Sequence, residues 1–142
     1  MIFIQRSEKI SSPIDDRIIE LAVTQTLDYN AVSPEVDLTI VLTDDEQLHQ
    51  LNLQFLGIDA PTDVLSFPAD VVDPDSHRRY LGDVLVSIPR AEAQAATAGQ
   101  SARQEALLLV VHGVLHLLGY DHAEEGEKAR MWAAQDEILS RI

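Results

Sequence analysis

Residues 105–118 read EALLLVVHGVLHLL, a stretch apolar on nearly every side of a helix. A surface helix keeps one polar face, and a helix without one has to be buried. Whatever this chain folds into must therefore enclose this segment. Ser101, with Gln104 three residues on, is a capping-box match, so the pattern predicts one long helix from there through Leu118. Gly119 follows, where helices commonly end on a left-handed residue that glycine adopts without steric penalty.

The flanking segments supply what could enclose it. Residues 2–5 (IFIQ) read as a short strand, and Ser12 followed by Pro13 is a helix-start signal for an amphipathic helix over 13–28. Val36, Leu38, Ile40 and Leu42 fall on one side of a half-buried strand. Thr43 and Glu46 form a capping box opening a helix through about Phe55, and residues 57–62 read as a loop. DVLSF (63–67) and LGDVLVS (81–87) read as strands, separated by an exposed polar excursion over 69–80. Ile88-Pro89 opens a helix that Gly99 ends, and a last helix covers about 124–141. The order β-α-β-α-β-β-α-α-α predicts an α+β fold: a single domain over 1–142 with one mixed β-sheet of about four strands packed by about five helices.

The buried helix also carries an anomaly. HGVLHLLGYDH, residues 112–122, holds three of the chain's five histidines. His112 and His116 lie one turn apart and project from the same face. Past Gly119 the chain turns, and His122 can swing back toward the pair. Three unpaired imidazoles in one buried patch would be costly, since each brings a donor and an acceptor. Burial keeps the rings neutral and available as ligands, and three nitrogens leave a fourth position for water, the pattern of catalytic zinc. The expected metal centre, at the end of the buried central helix, is therefore His112, His116 and His122. Other first-row metals suit three histidines too. His49 and His77 sit in polar surroundings and read as surface residues.

Charge and composition narrow the function. The chain has 10 basic and 24 acidic residues, a formal net charge of −14, so it should not coat nucleic acid by general attraction. It has no cysteine, which removes disulfides and thiolate metal sites. No secretory signal or bilayer-length apolar run is read, which fits a cytoplasmic protein with no membrane partner.

The histidine spacing is that of the metzincin proteases, but Gly113 stands where their general-base glutamate follows the first histidine. The whole constellation, HGVLHLLGYDH with PTDVLSFP (61–68) and LGDVLVS (81–87), resembles the YbeY family of bacterial metal-dependent endoribonucleases over roughly Val36 to the C-terminus. The resemblance implies one zinc per chain on His112, His116 and His122. It further implies single-strand RNA cleavage in ribosomal RNA maturation, notably at the small-subunit 3′ end, a role in ribosome quality control, and ribosomal proteins or the small subunit as partners. The family commonly carries an arginine before the glycine ahead of PTDVLSFP, and often a lysine just before that proline; here those positions are Leu56 and Ala60. Arg78, Arg79, Arg90 and Arg103 are candidates for a compensating cation.

No general acid or base is identifiable beyond the water a metal would carry. Asp121 either orients a ligand or caps its turn. Thr62, Asp63 and Ser66 either bond locally at their strand or line the substrate cleft, and Asp83 is ambiguous in the same way; Arg90 is a further lining candidate. Two rival functions stay open: a degenerate metzincin-like metallopeptidase, and a non-catalytic zinc-containing ribosome-associated factor.

Overall fold

The structure, a computed structural model, describes residues 1–11 and 14–142. Its elements follow the expected order: β1 (Ile2–Arg6), α1 (Asp16–Tyr29), β2 (Val36–Thr43), α2 (Asp45–Leu56), β3 (Val64–Val72), β4 (Arg79–Ser87), α3 (Ile88–Ala98), α4 (Ala102–Leu117) and α5 (Glu125–Leu139). The strands form one sheet in the order β1-β2-β4-β3, parallel except for the antiparallel β3–β4 pair. The fold is thus α+β with a mixed sheet of four strands and five helices.

Strand alternation sorts the helices onto two faces. Val84 and Val86 of β4 join Leu38, Ile40 and Leu42 of β2 in the main core, which α1, α3, α4 and α5 complete through Ile19, Val23, Ala91, Val110, Val114, Met131 and Ile138. Leu85 of β4 and Leu65 of β3 face the other way and meet Leu48 of α2. Helix α4 lies at the centre of the larger face, with Ala106, Val110, Val111, Val114 and Leu115 removed from solvent. The apolar girth of this helix is explained by neighbours on several sides: the sheet, α1, α3 and α5.

Three local readings are corrected. Helix α1 begins at Asp16, its first turn capped by the Asp15 carboxylate accepting from the Ile18 N–H; the expected start at Ser12 and Pro13 lies outside the described residues. Asp44, not Thr43, caps α2, its carboxylate accepting from the Gln47 N–H. Thr43 is still paired with Ser87 in the sheet, and its hydroxyl donates to the Gln47 side chain. The polar stretch 69–80 is largely exposed, but half of it is strand: β3 runs to Val72 and β4 begins at Arg79, with Val72 paired to Arg79 across the hairpin. Pairing with β4 imposed the strand where composition alone suggested loop.

Candidate metal centre

Gly113 governs how α4 meets the sheet. A methyl group there would come within 2.3 Å of Val84 Cγ1, so the helix and β4 approach as closely as they do only because position 113 has no side chain. The Ser66 hydroxyl of β3 donates to the Gly113 carbonyl at 2.8 Å, fastening the edge strand to the helix one residue from His112. With position 113 turned into the sheet, His112 and His116 stand on the neighbouring flank, partly exposed. Beyond Leu117, Gly119 adopts φ +99°, with open space around its Cα, and the chain turns to present His122.

The result is a cluster in which one ligand atom from each of His112, His116 and His122 lies within 4.8 Å of the others. The Nε2 atoms of His112 and His116 are 3.2 Å apart. Two nitrogens at ~2.0–2.1 Å from one tetrahedral ion stand about 3.3 Å apart, so the pair is already at ligand spacing. His112 Nδ1 donates to Gln135 Oε1 at 3.1 Å, which puts the ring proton on Nδ1 and leaves Nε2 as a lone pair aimed at His116. Burial holds the pKa of both His112 and His116 below the ordinary imidazole value, and repulsion from neighbouring histidines adds to it. Burial outweighs the opposing contacts, which are the Gln135 bond and the Asp63 charge for His112, and Asp121 with the Tyr120 backbone for His116. Converging, with His112 oriented by a buried amide, these nitrogens fit a divalent transition metal. Among the described residues this is the group of histidines and carboxylates whose geometry could hold one.

A cleft of ≈ 430 Å³ opens over the cluster, lined by the three histidines and, from the β3 side, by Leu56, Thr62, Asp63, Ser66 and Pro68. Three of the expected lining residues are therefore beside the histidines. Asp63 is the carboxylate among them; the Gln94 amide donates to its Oδ2 at 3.3 Å, and the Thr62 hydroxyl lies 3.5 Å from its Oδ1. Ser66 lines the cleft while its proton is committed to Gly113.

Other candidates lie elsewhere. Arg90 is held by Asp45 at 3.2 Å and does not line the cleft. Arg78 is bound to Asp37 at 2.7 Å and Arg79 to Asp70 at 2.6 Å. Arg103 is in the first turn of α4, about 14 Å along the axis from His112. None of the four cations lines the cleft with Leu56. Asp83 accepts a hydrogen bond from the Tyr80 hydroxyl at 2.5 Å, away from the histidines. The Asp121 carboxylate accepts from the His122 N–H at 2.7 Å, closing the turn before the third histidine. His49 pairs with Asp59 at 2.7 Å and His77 is exposed in the β3–β4 turn, both apart from the cluster.

One whole wall escapes a reading of the sequence. Helix α5 brings Gln135, 5% exposed, onto His112 and sets the Trp132 ring edge-to-face against two histidines, with centroids 5.9 Å from His112 and 5.8 Å from His122. The only available signal was spacing: positions 128, 132 and 135 share one stripe of a helix otherwise rich in charge.

Comparison with known proteins gives a consistent answer. A family model described as Endoribonuclease YbeY matches residues 2–142, so the similarity includes the N-terminal segment before Val36 that the motifs left silent. The endoribonuclease YbeY of Roseiflexus castenholzii is 44% identical over 148 aligned residues, spanning 100% of this chain and 92% of its own. That of Desulfitobacterium hafniense is 38% identical over 148 residues, spanning 95% and 93%. Among solved structures, the solution structure of TM1509 from Thermotoga maritima superposes with a TM-score of 0.62 at 28% identity, over 99% of this chain and 87% of that one.

Proposed function

The chain belongs to the endoribonuclease YbeY family, and from that premise we propose that it is a zinc-dependent endoribonuclease acting on single-stranded RNA, in maturation of the small-subunit ribosomal RNA 3′ end and in ribosome quality control in the cytoplasm. The observation that carries the metal-dependent part is the convergence of three histidine nitrogens, two of them 3.2 Å apart, at the floor of an open cleft.

His112, His116 and His122 would hold the ion, and their number leaves a coordination position facing the cleft. When bound, zinc supplies Lewis acidity toward a phosphoryl oxygen and lowers the pKa of water toward ~7. The protein's own contribution is orientation and proton handling. Gln135 keeps the His112 proton on Nδ1, so that Nε2 stays a ligand. The Asp63 carboxylate, with Oδ2 engaged by Gln94, is the cleft group suited to accept a proton from the attacking oxygen. That oxygen belongs either to water or to the neighbouring ribose 2′-hydroxyl, and a 2′,3′-cyclic phosphate product identifies the second.

The metallopeptidase alternative loses its usual base for a steric reason. The Cβ direction at Gly113 leads into Val84, so a glutamate there could not reach a substrate without separating α4 from the sheet. The test joins metal content to cleavage. Wild-type protein should carry about one zinc per chain and cut the single-stranded 3′ extension of a structured RNA while leaving its duplex intact. His116→Ala should lose both metal and cleavage. Metal retained with RNA untouched, or peptide cleaved instead, would refute the assignment.

A further inference from the structure

Helix α5 presents an indole and an ammonium beside the histidine cluster, and neither is used by the metal-binding scheme. Trp132 is the chain's single tryptophan and is 38% exposed although its ring abuts His112 and His122. One turn earlier, the Lys128 ammonium lies 5.5 Å from the indole centroid. Most arginines are committed to carboxylates: Arg6 to Asp16, Arg78 to Asp37, Arg79 to Asp70, Arg90 to Asp45 and Arg141 to Glu137. Among the described residues Lys128 makes no such pair; its neighbour is an aromatic ring. In a chain of net charge −14, a cation without a carboxylate partner and a part-exposed indole coincide next to the histidine cluster.

We propose that Trp132 and Lys128 form a nucleotide subsite, in which the indole stacks one unpaired base and the ammonium meets an adjoining phosphate. The inference rests on the RNA-cleaving reading and deepens it. Stacking accepts any base, because every base has a π-face, and it needs one whose face is not already covered by a helical neighbour. Preference for single strands then has a physical origin in Trp132. A phosphate held by Lys128 is one nucleotide step from a base on the indole, whose centroid is 5.8 Å from that of His122 and 5.9 Å from that of His112. The local cation overcomes general repulsion only where the strand must be cut.

A lone tryptophan makes the test direct. Zinc-loaded wild-type protein is titrated with a single-stranded oligoribonucleotide, with an abasic strand of equal length, and with a duplex, while tryptophan emission is followed. The single strand should quench Trp132, and the abasic strand and duplex should not. Trp132→Leu should weaken single-strand binding about tenfold or more, and Trp132→Phe should retain most of it. Lys128→Gln should reduce the slope of log affinity against log salt by about 0.7, the amount for one phosphate contact on a single strand. Binding without quenching, or equal affinity for intact and abasic strands, would overturn the subsite; both arms use wild-type protein and stand even if Trp132→Leu misfolds. Quenching by RNA that is never cleaved would leave the subsite intact and sink the nuclease assignment, and cleavage without quenching would do the reverse.

Discussion

His112 is held at both nitrogens: Nδ1 by Gln135, and Nε2 facing His116 across 3.2 Å. Removing the amide should let the ring rotate and shift its proton, at a cost to metal affinity rather than to the fold. Gln135→Ala is expected to weaken zinc binding about 10–100-fold, measured by competition with a chromophoric chelator. Gln135→Glu, which keeps an oxygen acceptor for the Nδ1 proton, should restore much of it. The three histidines were legible in the sequence because they fall within one helix and the turn after it, where spacing dictates direction. Gln135 was not, since it lies 23 residues from His112 and reaches it only through packing of α5 on α4. Nor were the roles of Ser66 and Asp121 separable from spacing alone, because each choice between a local bond and an open cleft depends on distances across elements.

At the level of elements, the α4–β4 contact is the tightest feature of the site. Gly113→Ala gains up to about 1 kcal/mol of helix propensity but places a methyl group 2.3 Å from Val84 Cγ1. The clash should win, with a net loss of about 1–3 kcal/mol seen as a melting temperature lower by roughly 2–4 °C per kcal/mol. Adding Val84→Ala should give a double variant less destabilised than the sum of the two single changes, the mark of a shared contact. Element identity was largely readable: alternation in β2 and the girdle of apolar residues around α4 admit few alternatives. What escaped was pairing. The strand at 69–72 takes its conformation from β4, and Asp44 replaces Thr43 as a cap because Thr43 stays in the sheet opposite Ser87. The placement of β4 between β2 and β3 likewise depends on contacts that no local pattern encodes.

Over the whole molecule, the charge of −14 opposes any polyanion, while the inferred phosphate contact is single and local. The salt dependence of RNA binding should therefore be shallow: a log–log slope no steeper than about −0.7, where a nuclease with six or more contacts would show one several times larger. Raising salt over the range from about 50 to 200 mM should lower kcat/KM little, since screening of the general repulsion offsets loss of the contact. A steep fall would reveal an extended basic track. None of the reading of net charge predicted where a strand could approach, because that is set by Lys128 beside Trp132 rather than by the sum over the surface. The two sides of the metal cleft also differ in what a substitution costs. The histidine helix is locked into the core, where almost any change is felt, whereas Leu56, 57% exposed, can be exchanged for about half a kcal/mol or less. The rim around Leu56 is thus a place where the fold tolerates exchange, while the histidines across the cleft are held still by the demands of folding.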